Sequence, residues 1–129
     1  MARIIKIRDV KRIDSKKVNS NEIFGSLANL SETIGLKKLF IYHEILAPKH
    51  RSSSPHYHSS KEEFVYVLKG KPSIWLDGDI RTLFSGDAVG FPAGEKGYHM
   101  IENKSDEEVQ LLVISIEENK DHVFYFPEE

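Results

Sequence analysis

The sequence predicts an all-β protein, a sandwich or barrel of antiparallel strands. After residue 34 the chain is a succession of short runs rich in β-branched and aromatic residues, with turn signals about every ten residues. Asp77 and Gly78 lie between two such runs and give the strongest hairpin signal, because glycine accepts the positive φ that the turn needs. No run after residue 34 has a convincing helical period of about 3.6 residues.

The predicted elements follow in order along the chain. Ile4, Ile5, Ile7 and Val10 indicate a short first strand, and residues 20–34 are expected to include a short helical segment. The β-type runs that follow are 36–46, 64–68, 73–76, 80–84, 88–91, 98–101, 109–116 and 123–126. All five prolines and most glycines lie outside these runs, where they end regular structure.

Composition places the chain among ordinary globular proteins. The 129 residues are expected to form one domain, and 40% hydrophobic and 29% charged residues are typical of a packed core. The absence of cysteine excludes disulfides, thiolate metal ligands and a cysteine nucleophile. No apolar stretch approaches the roughly 20 residues of a membrane span, and no signal peptide is evident. A cytoplasmic protein without membrane contacts is therefore expected.

The charge distribution is uneven although the net charge is only −2. Residues 1–20 hold seven Lys and Arg against two acidic residues, whereas residues 101–129 hold two against nine. A basic end is compatible with binding a phosphate backbone, but no aromatic interleaving or helix-turn-helix pattern accompanies it. Nucleic-acid binding is therefore not expected, and the two ends are expected to lie near each other or near a partner subunit.

A pair of histidines is the most informative local feature. On an extended strand His56 and His58 point to the same side, while Tyr57 points away. A four-residue gap then leads to Glu63, which a chain reversal would bring beside the pair. Imidazole and carboxylate together suit zinc, iron, nickel, copper or manganese. Glu62 is the alternative carboxylate, but Glu63 shares a strand face with small apolar residues.

A third imidazole follows a tight turn in the second half of the chain. Residues 86–94 end in a Pro-x-Gly turn at Pro92 and Gly94, and His99 follows at the start of the next apolar run. Asn103 lies four residues further on, just before another turn-like segment. This third imidazole strengthens the prediction of a metal site.

Together these two segments resemble the two motifs of the cupin superfamily. The first motif (His-x-His, three or four residues, Glu, six residues, Gly) is matched by His56, His58, Glu63 and Gly70. The second (Gly, five residues, Pro-x-Gly, a short gap, His, three residues, Asn) is matched by Gly86, Pro92, Gly94, His99 and Asn103. Two departures exist: the gap before His99 is four residues instead of two, and His50 replaces the glycine expected upstream.

The resemblance implies a double-stranded β-helix, the cupin jelly-roll barrel, with its core at about 36–116 and terminal strands flanking it. It also implies one divalent transition metal, with Fe, Mn, Zn and Ni not distinguished, held inside the barrel by His56, His58, Glu63 and His99. The similar proteins are small single-domain cupins of unassigned activity, and their tendency to pair implies a homodimer.

Four further residues are candidates for contacts around the metal. His43 alternates with apolar residues on its strand and is a candidate to point into the barrel toward metal ligands or substrate; the alternative is an exposed or hydrogen-bonded strand histidine. Lys49, His50 and Arg51 are candidates for a basic mouth that attracts an anionic ligand, and a solvated loop is the alternative.

The function expected from these features is that of a metalloenzyme acting on a small polar or carboxylated metabolite. A metal with open coordination positions can polarise a carbonyl or bind water, so oxygenase, isomerase and decarboxylase chemistry all stay open. The alternatives are a non-catalytic binding or sensing protein and a purely structural metal. Fold alone does not decide among them.

Overall fold

In the computed structural model, which describes residues 1–116 and 119–128, the protein is almost entirely β. The strands are β1 Arg12–Lys16, β2 Ile23–Asn29, β3 Leu39–Leu46, β4 His56–His58, β5 Glu63–Lys69, β6 Ser73–Leu76, β7 Asp79–Thr82, β8 Ala88–Phe91, β9 His99–Glu102, β10 Val109–Ile116 and β11 Val123–Tyr125. A 3₁₀ turn, Ile7–Asp9, and one short helix, α1 Leu30–Ile34, complete the described elements. Neither described helix is long and apolar enough to cross a membrane.

Two antiparallel sheets form the barrel. One sheet has the strand order β1-β2-β3-β10-β5-β8, and the other has the order β11-β4-β9-β6-β7. Strands that neighbour each other in a sheet are mostly distant in sequence, as in the pairing of β3 and β5 with β10. This arrangement confirms the predicted all-β jelly-roll fold.

The N-terminal third differs from the sequence-based prediction. The first strand does not lie over residues 4–10: that segment contains the 3₁₀ turn, and β1 begins at Arg12, where it pairs with β2. Residues 20–34 contain the strand β2, Ile23–Asn29, followed by the short helix Leu30–Ile34, so the expected short helical segment lies at the end of this range. The Asn29 side chain caps this helix by accepting the Glu32 amide, and Gly35 ends it at φ 92°.

Alternating apolar side chains from both sheets form the core. The buried cluster consists of Leu46, Val65, Val67, Ile74, Ile101, Val109 and Leu111. The predicted hairpin is present, since Asp77 and Gly78 join β6 to β7 with φ values of 49° and 94°. The Asn103 side chain is fully buried and donates to the backbone carbonyls of Leu46 and Glu107, which fixes the turn between β9 and β10.

Candidate metal centre

Three imidazoles and one carboxylate meet between the two sheets. His56 and His58 lie on β4, and His99 on β9 is paired directly with His56. Glu63 begins β5 in the opposite sheet. The Nε2 atoms of His58, His56 and His99 lie 2.9, 3.5 and 3.7 Å from Glu63 Oε1. One ligand atom from each of His56, His58 and Glu63 lies within 4.8 Å of the others, a spacing that one ion can bridge.

Two of the imidazoles are oriented by contacts on their far side. His56 Nδ1 lies 2.9 Å from the Ser54 carbonyl oxygen, which can only accept, so Nδ1 carries the proton. His58 Nδ1 lies 2.6 Å from Asp121 Oδ2. When the rings of His56 and His58 are neutral, their Nε2 atoms therefore carry no proton, and each has a lone pair on the side of Glu63. Partners of this kind fix the tautomer of metal-binding histidines and raise their basicity.

Asp121 is a functional candidate that sequence reasoning missed. Besides His58 it binds the backbone amides of Ser60 and Lys61, each at 3.0 Å, and so ties the turn after β4 to the C-terminal segment. Burial opposes ionisation, but these hydrogen bonds dominate and lower the pKa of Asp121 to about 2. The residue is 63 positions from His58, and no motif marks it.

The Glu63 carboxylate lacks a normal partner. Its Oε1 atom is buried and has no hydrogen-bond partner among the described residues, although three imidazole nitrogens surround it. Burial raises the pKa of Glu63, and the three imidazole contacts more than offset this and lower it well below its usual value. Contact with Glu63, and then with Asp121, raises the pKa of His58 against the effect of burial. An ionised carboxylate beside three imidazole nitrogens fits a divalent cation.

His99 is held by packing. Its ring stacks on Phe91 at a centroid distance of 3.7 Å with an interplanar angle of 10°. Burial lowers the pKa of His99 more than the contact with Glu63 raises it, so the ring favours the neutral form that binds metal. Phe91 lies directly opposite Glu63 on the neighbouring strand β8, and this places His99 against the same carboxylate.

A cavity of about 270 Å³ opens onto this cluster. All four candidate ligands line it, together with apolar residues of β10 and two charged residues, Glu44 and Lys61. Glu44 is 4% exposed, and burial, followed by the charge of Glu63, raises its pKa to about 8. The cluster is therefore open on one side to a space that can hold a small molecule.

The other candidates from the sequence lie elsewhere. His43 is on the opposite face of β3 from Glu44, where its Nδ1 accepts from Arg12 and its Nε2 donates to Gln110. Burial lowers the pKa of His43, in keeping with a neutral ring. The structure thus corresponds to the alternative for His43, a hydrogen-bonded strand histidine, and brings Glu44 to the cavity instead.

The expected basic mouth is also absent from the described lining of the cavity. Arg51 binds Glu22 and Glu128 at 2.7 and 2.9 Å, so its charge is already paired. His50 Nδ1 contacts the Phe24 carbonyl oxygen, and Lys49 is an exposed turn residue at φ 70°. Lys61, treated as a turn residue from the sequence, is the cation that lines the cavity.

Glu62 and Glu63 are separated as the sequence predicts. Glu62 is exposed and is not part of the lining; its carboxylate contacts the Ala93 amide at 3.4 Å. Glu63 alone of the two faces the imidazoles.

Comparisons with known proteins agree with this fold. The Cupin_2 model of the cupin domain matches residues 42–115. A Streptomyces cyaneus protein named polyketide synthase CurC is 30% identical over 107 residues, which cover 83% of this chain and 66%, just under two thirds, of that protein.

Two solved structures are similar over most of the chain. The crystal structure of a cupin-superfamily sugar phosphate isomerase from Silicibacter pomeroyi has a TM-score of 0.90 and 25% identity, covering 98% of this chain and 83% of that one. A protein of Acidithiobacillus ferrooxidans, whose name proposes the same activity, has a TM-score of 0.84 and 30% identity, covering 92% and 76%. The domain match spans more than half of the chain and includes both motifs, and the chain therefore belongs to the cupin superfamily.

Proposed function

We propose that this protein is a metal-dependent enzyme that acts on a small hydroxycarbonyl metabolite, with sugar phosphate isomerisation as the reaction class. One divalent transition metal would be held by His56, His58, Glu63 and His99. When bound, such an ion supplies positive charge that polarises a carbonyl and its neighbouring hydroxyl.

The observation that carries the proposal is the position of the unpartnered Glu63 oxygen. It lies among three imidazole nitrogens in the wall of a cavity of about 270 Å³, so these residues would hold a cation at the edge of an open space. A structural metal is closed off by protein ligands, whereas a catalytic one keeps an exchangeable position. The open side favours catalysis over a purely structural role.

A second groove supports a phosphorylated substrate. It has a volume of about 680 Å³ and shares His56, His58, Ser52 and Ser53 with the cavity. Lys16, Lys17, Ser54 and Glu128 also line it, and Lys17 is paired with Glu128 at 3.4 Å. Lys16 and the serine hydroxyls are donors that suit a phosphate group. The two solved relatives named for sugar phosphate isomerase activity, at 25% and 30% identity, favour this class over oxygenase or decarboxylase chemistry.

The test combines metal analysis with a substrate panel. Protein made without a histidine tag is analysed for bound metals and incubated in D₂O with dihydroxyacetone phosphate, D-ribulose 5-phosphate and D-fructose 6-phosphate, followed by proton NMR. We expect about one metal per chain and formation of the isomer of at least one compound, with both lost in His58→Ala. A metal-loaded protein that converts none of the three compounds would contradict isomerase activity.

A homodimer is also part of the proposal. The N-terminal region leaves apolar side chains exposed, with Ile4 98%, Val18 82% and Ile13 66% accessible. A second copy would cover these side chains. Light scattering at micromolar concentration should give about twice the chain mass of 14.8 kDa, and a monomer would contradict the dimer.

A further inference from the structure

Glu44 is a buried ionisable residue that does not belong to the set of candidate metal ligands. It lies on β3, is 4% exposed, and lines the cavity with the four candidate ligands. No hydrogen bond or ion pair links its carboxyl to another described residue. A buried carboxyl without a partner is costly to the fold, and such groups concentrate at functional sites.

The strand register places Glu44 and Glu63 on the same face of one sheet, on either side of β10. Glu44 pairs with Leu111 of β10, and Glu63 pairs with Ser115 of the same strand from its other side. The two β10 positions are four residues apart, roughly 13 Å along the strand. Both residues line the same cavity, so Glu44 borders the space that a small molecule would fill beside the candidate metal ligands.

Close packing restricts the side chain of Glu44. A Cβ atom at Gly25 would overlap the Glu44 carboxylate and lie 2.7 Å from its Cγ, so the carboxyl lies directly on the backbone of β2. Leu27 and Leu111 line the cavity next to it. The Glu44 carboxyl is therefore packed against β2 and apolar side chains on one side and borders the cavity on the other side.

We propose that Glu44 is the catalytic acid–base residue of this cavity, a role that rests on the proposed isomerase function. In its ionised form Glu44 removes the proton from C2 of an aldose phosphate. The C–H electron pair forms the C1–C2 double bond, and the carbonyl pair moves to O1. The protonated Glu44 then returns the proton to C1, and the O2 hydroxyl proton passes to O1. The product is the ketose phosphate, with all atoms and electrons balanced.

The electrostatic environment suits this role. Burial, then Glu63, raises the pKa of Glu44 to about 8, and Arg12 opposes the shift. Among the described residues, the other charged or titratable groups on the cavity wall are Tyr42, Lys61, His56, His58 and His99. A proton-transfer group is most effective when its pKa lies near the working pH.

The test compares Glu44→Gln, which keeps the shape but cannot accept a proton, with Glu44→Asp and with the exposed control Glu107→Gln. Each is assayed for conversion of the three sugar phosphates and for exchange of solvent deuterium into them. We expect Glu44→Gln to lower kcat by at least about 100-fold and to abolish exchange. Its KM and metal content should stay within about threefold of the wild type, Glu44→Asp should keep part of the activity, and Glu107→Gln should match the wild type.

Infrared difference spectroscopy gives a readout independent of turnover. At pH 6 to 7 a protonated carboxyl band should be present in the wild type and in Glu107→Gln, and absent in Glu44→Gln. If the spectrum of Glu44→Gln keeps the protonated carboxyl band of the wild type, the role of Glu44 is overturned. A Glu44→Gln enzyme with full kcat would also overturn it. Both results would leave the isomerase proposal intact. A metal-loaded wild type inactive on every probe would overturn both.

Discussion

Replacement of Glu44 by glutamine should stabilise the metal-free protein, and the gain should increase with pH. The folded state raises the pKa of this carboxyl from 4.5 to about 8, mainly because burial disfavours its charge. As pH rises through this window the unfolded chain releases the proton first, so the wild type loses stability between about pH 4.5 and pH 8. Above pH 8 Glu44 is ionised in both the folded and the unfolded chain, and the loss of stability is complete. A glutamine at this position stays neutral at every pH, so the variant does not lose this stability.

The magnitude follows from the two pKa values of 4.5 and about 8. With about 1.4 kcal/mol for each pKa unit, the cost of ionising Glu44 is about 1 kcal/mol at pH 5, about 3 kcal/mol at pH 7 and about 5 kcal/mol at pH 9. Other titrating groups, including the histidines, are common to both proteins and cancel in the comparison. The difference in stability between Glu44→Gln and the wild type should therefore grow by about 4 kcal/mol from pH 5 to pH 9.

Urea unfolding of chelator-treated protein at pH 5, 7 and 9 measures this difference. Glu62→Gln is the matched control, because Glu62 is exposed and its removal should leave the pH dependence unchanged. A difference between Glu44→Gln and the wild type that stays constant within about 1 kcal/mol over this range would refute the reasoning, since it would show an ordinary pKa for Glu44 in the fold.

Three further predictions concern the metal cluster. Glu63→Gln should reduce bound metal sharply by elemental analysis, whereas Glu62→Gln should retain it; equal occupancy would show that the wrong carboxylate has been assigned. Asp121→Asn should weaken metal affinity about 10- to 100-fold in a chelator competition, because it removes the charge that orients His58, and an unchanged affinity would contradict that role. Metal affinity should also fall as pH drops from 8 to 5, because Glu63 raises the pKa of His58 and protons then compete for its Nε2. A flat profile would argue against histidine ligation.

The grouping of His56, His58 and Glu63 was predictable because its geometry is largely local. His56 and His58 share a strand face by simple alternation, and a short turn is enough to bring Glu63 back beside them. His99 required more than spacing, since it arrives through the pairing of β9 with β4. The position of His99 beside the other three residues was predicted from the resemblance of the two motifs to those of cupins. No periodicity in the sequence indicates it.

Asp121 could not be found in this way. Its contact with His58 depends on β11 pairing with β4, and nothing in the sequence indicates which strand the C-terminal run joins. The segment 106–108 is more acidic than the surroundings of Asp121, so charge density would have pointed to the wrong place. Only the three-dimensional path of the chain distinguishes a carboxylate that orients a ligand from one that faces solvent.

The choice between the two alternatives for His43 depends on the phase of β3, which the sequence does not reveal. Period-2 alternation identifies an inner face only when the outer face is polar, and here Leu39, Ile41 and Ile45 on one face are as apolar as the other. In the structure Arg12 and Gln110 hold His43 on the outer face, where His43 itself is buried. A strand with apolar residues on both faces carries no phase signal, so its two adjacent ionisable residues could not be ranked. Of these two residues, Glu44 lines the cavity. Burial disfavours its ionised form there, and ionisable groups in such positions concentrate at functional sites.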